Sequence, residues 1–185
     1  MNLTAKDMAL VGLFTALIAV GAFLRVPIPF VPFTLQLFFV ILAGFLLGGR
    51  LGSLAATTYL VLGLIGVPIF TEGGGIWYIY KPSFGYIVAF IPSAYLAGYF
   101  AEKWYLQDKL TFRRLIAAGY AALLLCYAVG AAYVYIAATF YLGLPMELWR
   151  LFELCFLFII PGDSLTLCLA CYLTIRILPV VKRWR

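Results

Sequence analysis

The sequence predicts an all-α membrane protein of six transmembrane helices, on three observations. First, 66% of the 185 residues are hydrophobic and only 11% are charged, against roughly 25% charged in a soluble domain; the mean hydropathy is +1.09. No water-soluble fold hides that much apolar surface. Second, the apolar residues fall into runs close to the length of about 20 residues that crosses a bilayer as a helix. Third, the basic residues gather in the connections on one side. Residues 1–185 read as one integral membrane domain.

The first span is Met8–Leu24, preceded by Lys6 and lacking a polar cleavage region, so it reads as a retained helix and not as a signal peptide. Gly12, Ala16 and Ala19 lie along one of its faces. Small residues so spaced let helices approach closely in lipid. Whether that face packs this bundle or docks on a partner stays open from sequence. Arg25–Phe33 (R-V-P-I-P-F-V-P-F) follows, held extended by its prolines. The second and third spans, Thr34–Gly48 and Leu51–Val67, are joined through Gly48-Gly49-Arg50 as a tight helical hairpin. After the loop Gly66–Tyr86 come Phe84–Phe100 and Arg113–Tyr141, the latter long enough to tilt or protrude. Met146–Phe158 places Glu147, Arg150 and Glu153 on one face, as in a helix lying along the membrane surface. Pro161 breaks that run, leaving Gly162-Asp163 to open the sixth span, Gly162–Val181.

With the amino terminus inside, Lys6, Arg50, Lys103, Lys109, Arg113, Arg114, Arg176, Lys182, Arg183 and Arg185 face inward, and only Arg25, Lys81 and Arg150 face outward. That is a positive-inside arrangement with both termini in the cytoplasm and the chain in the cell membrane. The net charge of +6 then needs no nucleic acid to explain it. There is no histidine, which removes Ser-His-Asp catalysis and imidazole metal sites. No phosphate-binding G-x-x-x-x-G-K-[S/T] occurs either, so any ATP must be used by another subunit. Cys168 and Cys171 (C-L-A-C) sit inside a span and read as small packing residues.

The most informative stretch is Gly66–Tyr86. It holds Gly73, Gly74 and Gly75, then Trp77, Tyr78, Ile79 and Tyr80, an isolated Lys81, Pro82 and Gly85-Tyr86. Glycines let backbone approach a ligand, and aromatics with polar tips give flat walls that also hydrogen-bond. A plain interfacial loop with belt aromatics is the competing reading. The same outer side receives the proline-rich segment and Pro161-Gly162-Asp163. Asp163 is either a helix N-cap or a functional carboxylate, since a charge near membrane depth is costly.

Taken together these pieces resemble the BioY family, the biotin-capturing S components of energy-coupling-factor (ECF) transporters. The resemblance runs nearly end to end, through Pro27–Gln36 (P-I-P-F-V-P-F-T-L-Q), Ala43–Gly52 (A-G-F-L-L-G-G-R-L-G), Gly63–Phe70 (G-L-I-G-V-P-I-F), the glycine triplet, Pro82–Tyr86 and Ile160–Asp163 (I-P-G-D). It implies an S-component-like bundle with an outward-facing vitamin pocket. It also implies an ECF membrane scaffold subunit and two ATPase subunits as partners, with no cofactor in this chain itself. The face Gly12, Ala16 and Ala19 falls where S components dock on the scaffold, and the family's P-G-D aspartate falls on Asp163. Two departures stand out. The family continues G-D-x-x-K, and the lysine position is Thr166 here; Lys81 replaces a glycine common before P-[S/T]-x-G-Y.

A biotin pocket needs an acceptor for the ureido N–H groups, donors for the carbonyl, apolar walls and something positive for the carboxylate tail. Asp163 suits the first role. Thr34, Gln36, Thr166 and the amides of Gly73–Gly75 suit the hydrogen bonds, and Tyr86 with Trp77, Tyr78 and Tyr80 the walls. Lys81 is the expected substitute for the missing lysine, pairing with the ligand carboxylate or with Asp163. No bond is broken in this reading, so the chain is not an enzyme. The alternatives are an S component for another biotin-like carboxylate, a non-transport membrane scaffold, or a small intramembrane enzyme.

Overall fold

The computed structural model describes residues 3–26, 32–141 and 159–184. Within them the chain forms α1 (Ala5–Phe23), a two-stranded antiparallel ribbon of β1 (Arg25–Val26) and β2 (Phe33–Thr34), then α2 (Gln36–Leu47) and α3 (Gly49–Leu64). A short 3-10 helix, Ile76–Tyr80, precedes α4 (Phe84–Leu106) and α5 (Phe112–Ile136); α5 runs into a π turn, Ala137–Tyr141, and α6 is Ile160–Trp184. Each of the six expected spans is a helix. The expected surface helix, Met146–Phe158, lies outside the described residues.

Among the described residues, four helices are long and apolar enough to cross a bilayer: α1, α4, α5 with its extension to Phe140, and α6 as far as Val181. The other two are shorter. At 12 residues α2 reaches roughly 18 Å, well under a hydrocarbon core of about 30 Å. It starts at Gln36 because Thr34, expected at the head of the span, is drawn into the ribbon beside Phe33, with Arg25 paired to Thr34 and Val26 to Phe33.

Local chemistry explains the helix ends. Thr4 caps α1 reciprocally: Asp7 N–H donates to Thr4 Oγ1 at 3.1 Å and Thr4 N–H to Asp7 Oδ2 at 3.2 Å, a capping box. Gly48 separates α2 from α3 with φ 85°, a backbone angle that L side chains rarely adopt. The tight hairpin expected there is therefore real.

α4 is the hub of the bundle, packed against α2, α3 and α5. Its inward residues include Ala94, Ala97 and Ala101, all fully buried, so neighbouring backbones come close. A Cβ on Gly44 would lie 2.5 Å from the Ala94 carbonyl oxygen, one on Gly98 would lie 2.4 Å from Gly49 N, and one on Gly52 would lie 2.7 Å from Gly44 Cα. Three helices thus meet through glycine at the end of α2 remote from the ribbon, the packing that lipid favours. Hydrogen bonds add to it: Thr15 Oγ1 donates across to Ala55 O at 3.1 Å and Ser93 Oγ to Ala122 O at 3.1 Å.

The small-residue face of α1 points away from this packing. α1 buries Asp7, Val11, Phe14, Thr15, Ile18, Gly21 and Ala22. Gly12 and Ala16 are exposed on the other side, and Ala19 is half-buried at the boundary. A Cβ added to Gly12 would meet nothing within 4 Å.

Candidate functional site

The ribbon, the start of α2, the loop before α4, and the facing parts of α4, α5 and α6 surround one cavity. It encloses about 490 Å³ of empty space, open solvent at its mouth included. Pro32, Phe33 and Thr34 come from the ribbon, Gln36 and Leu37 from α2, and Thr71 and Ser83 from the loop. Tyr86, Ile87 and Phe90 come from α4, Tyr127 from α5, and Ile159 and Asp163 from the start of α6.

Asp163 is 4% exposed and is not a helix cap. α6 begins at Ile160, and the Asp163 N–H already bonds back to Ile159 O at 3.0 Å. Pro161 sits in the first turn, where a missing N–H costs nothing. The carboxyl group is instead turned across to α5, where the Tyr127 hydroxyl donates to Asp163 Oδ2 at 2.5 Å, a short hydrogen bond. Gly162 makes this placement possible. A Cβ there would lie 2.8 Å from the Phe33 ring, so the glycine of P-G-D admits the ribbon's aromatic wall beside the aspartate. A matching notch seats Tyr86: a Cβ on Gly130 of α5 would lie 2.5 Å from its ring.

Gln36 is 3% exposed, and both ends of its amide are engaged. Its Nε2 donates to the Tyr59 hydroxyl at 2.8 Å, which donates onward to Ile69 O at 2.9 Å. Its Oε1 accepts from Thr34 Oγ1 at 3.0 Å and from Thr71 Oγ1 at 3.4 Å. One side chain so ties the ribbon, α3 and the loop together at the cavity wall. Such chains of hydrogen bonds polarise one another in a poorly solvated setting. Gln36 is a strut as well as a wall.

The loop is folded onto itself. Phe70 and Gly73 exchange backbone hydrogen bonds of 2.8 and 3.2 Å, and the Gly75 N–H donates to Gly63 O at 2.7 Å. The Phe70 ring lies over Gly63, where a Cβ would be 2.0 Å away, between Tyr59 and Tyr78 at centroid distances of 5.4 and 4.6 Å. The amides of Gly73 and Gly75 therefore hold the loop together and are not aimed at the cavity. The triplet is needed for shape: Gly73 and Gly75 have φ of 112° and 103°.

Of the residues expected at the site, Thr34, Gln36, Tyr86 and Asp163 share the cavity wall, and Gly73, Gly74, Gly75, Lys81 and Thr166 do not. Lys81 pairs with Glu72 at 2.8 Å on the exposed loop, not with Asp163. The hydrogen bond and charge of Glu72 hold its ammonium above the ordinary lysine range. Thr166 turns back to its own helix, donating to Asp163 O at 3.0 Å. Among the loop aromatics, Trp77 is 76% and Tyr80 52% exposed while Tyr78 is buried. A 3-10 helix repeats every three residues, so Trp77 and Tyr80 share the outer face, stacked at 6.0 Å.

Comparison with known proteins agrees with this geometry. The profile of the BioY family matches residues 1–183. The chain belongs to the BioY family. A Lysinibacillus sphaericus protein named "Probable biotin transporter BioY" is 40% identical over 85% of this chain and 79% of its own length. The Thermotoga maritima "Biotin transporter BioY" is 44% identical over 64% of this chain and 68% of its own. The crystal structure of the S-component for biotin from an ECF-type ABC transporter superposes with a TM-score of 0.81 at 27% identity, covering 93% of this chain and 90% of that one. The bundle of this BioY-family chain is therefore an S-component fold.

Reasoning from sequence missed three polar wall residues of this BioY-family site, Tyr127, Thr71 and Ser83. Tyr127 is one of 13 tyrosines and sits in an apolar run that gives no hint of its facing. Thr71 and Ser83 each lie two residues from one that drew attention, Gly73 and Lys81. Their signal was proximity to the glycine–aromatic loop.

Proposed function

We propose that this multi-pass membrane protein captures biotin at the outer face of the cell membrane, as the substrate-binding subunit of an ECF-type transporter. The observation that carries the reading is the cavity. Its walls are mainly apolar, from Phe33, Leu37, Ile87 and Phe90, and Asp163 is the sole carboxylate among the described wall residues. Biotin's fused rings match that division. The ureido N–H groups donate to the Asp163 carboxylate, whose Oδ2 is already fixed by Tyr127. The thioether ring and acyl chain lie along the aromatic wall, and Ser83, whose hydroxyl can accept from Tyr78, offers its proton to the ureido carbonyl. Nothing in this arrangement breaks a bond: the chain binds and hands over.

Transport against a gradient then needs energy from elsewhere. An ECF membrane scaffold subunit and two ATPase subunits supply it, with ATP consumed by the ATPases alone. Gly12 and Ala16, exposed on α1 with Ala19 at their edge, form the docking face for the scaffold. Their small side chains allow close helix approach in lipid. The segregation of basic residues supports cytoplasmic termini and an outward cavity.

The test is direct. The protein is purified gently and denatured, and the released small molecule is identified by mass spectrometry; emptied protein is then titrated with biotin. Recovery of biotin and saturable one-to-one binding are expected. A different released carboxylate, with no biotin binding, would overturn the assignment.

A further inference from the structure

With the ring donors on the buried Asp163, biotin taken as the free acid leaves its carboxylate for another part of the cavity, and a cation there would read it. Lys81 is held by Glu72 at 2.8 Å, and Thr166 carries no charge. Arg25 is differently placed. Both of its close partners are cavity-wall residues: it faces Thr34 across the ribbon, and its Nη1 donates to the Thr71 backbone carbonyl at 2.6 Å. Thr34 and Thr71 both line the cavity. The guanidinium therefore lies where ribbon and loop meet at the cavity edge, exposed to solvent on its other side. A guanidinium presents five N–H donors in a rigid planar fork, and this one makes no ion pair among the described residues. A fork anchored by one N–H to a carbonyl keeps donors for a carboxylate, which it meets with two parallel bonds.

We propose that Arg25 binds the carboxylate of the ligand at the mouth of the cavity, and so makes the site selective for the free acid. Asp163 and Arg25 then receive opposite ends of one molecule, the ring donors deep and the acid outermost. The inference rests on the biotin reading above.

The experiment compares biotin with biotinamide, which keeps the rings and chain and loses the charge. Dissociation constants for both are measured by calorimetry on wild type, Arg25→Met and Arg25→Lys. Arg25→Met is expected to weaken biotin by roughly tenfold or more, as loss of a charge-assisted bond would, and biotinamide far less. Arg25→Lys, which keeps the charge without the fork, is expected to retain part of the preference for the acid. The ratio of the two constants within one protein does not depend on how much of a variant is folded. If both ligands weaken equally in Arg25→Met, the residue is only a clasp between ribbon and loop, and the proposal falls. An unchanged ratio with unchanged affinities ends it too. Wild type binding neither ligand would overturn the biotin reading itself, a separate result.

Discussion

Tyr59→Phe removes one oxygen from a residue that does not line the cavity, yet it is expected to weaken ligand binding. Tyr59 is fully buried in α3. Its hydroxyl accepts from Gln36 Nε2 at 2.8 Å and donates to Ile69 O at 2.9 Å. The ring stays against Phe70 in the variant, so packing is kept and only the polar link is lost. Two neutral hydrogen bonds at about 0.5–1.5 kcal/mol each give about 1–3 kcal/mol. The lower end matches the average of about 0.6 kcal/mol per bond within membranes. This loss divides between the fold and the site, because Gln36 is both strut and wall. If about half falls on binding, the dissociation constant rises by about two- to tenfold. Calorimetric titration with biotin and thermal unfolding in detergent, with and without ligand, measure the two parts. A lowered unfolding temperature with an unchanged dissociation constant would refute the reasoning. The network would then support the fold alone.

Three further substitutions test the site and its surroundings. Asp163→Asn keeps shape, removes the charge and replaces one acceptor oxygen with a donor; biotin affinity should fall roughly tenfold to a hundredfold, and wild-type affinity in titration would remove Asp163 from the site. Lys81→Met breaks only an exposed pair worth about 0–1 kcal/mol, so biotin affinity should change by less than about fivefold; a larger loss confined to the free acid would return the carboxylate to Lys81. Ala16→Trp on the outward face of α1 should leave binding to the purified subunit intact while reducing labelled biotin uptake in cells expressing the whole transporter; loss of binding as well would mean that the face serves the bundle.

The six helices were legible because apolar runs of that length have one use, and the hairpin at Gly48 because two glycines between such runs leave little else. Asp163 was legible as a carboxylate where carboxylates are expensive. Its orientation was not. Only the structure shows the first turn of α6 starting at Ile160 and the side chain crossing to Tyr127. A hydrophobic run all round a helix carries no marker of which side faces a cavity, so Tyr127 and Phe90 stayed hidden. The glycine–aromatic loop misled for a related reason: its glycine amides were read as donors to a ligand, whereas Gly73 N–H bonds to Phe70 O and Gly75 N–H to Gly63 O. Lys81 drew attention as a lone charge, but Glu72, nine residues earlier, neutralises it across the folded loop.

The glycine junction of α2, α3 and α4 has a mechanical consequence. Contacts made backbone to backbone have no rotamers to rearrange, so that end of the bundle resists shear as a single block. Around the cavity α2 and α3 are joined to the ribbon and loop by side-chain hydrogen bonds through Gln36 and Tyr59, and Arg25 ties ribbon to loop; these bonds break and re-form singly. Compliance therefore rises along the length of α2, from Gly44 toward Gln36. A ligand entering the cavity meets the soft end, and the strain of admitting it is absorbed by ribbon and loop before it reaches the block.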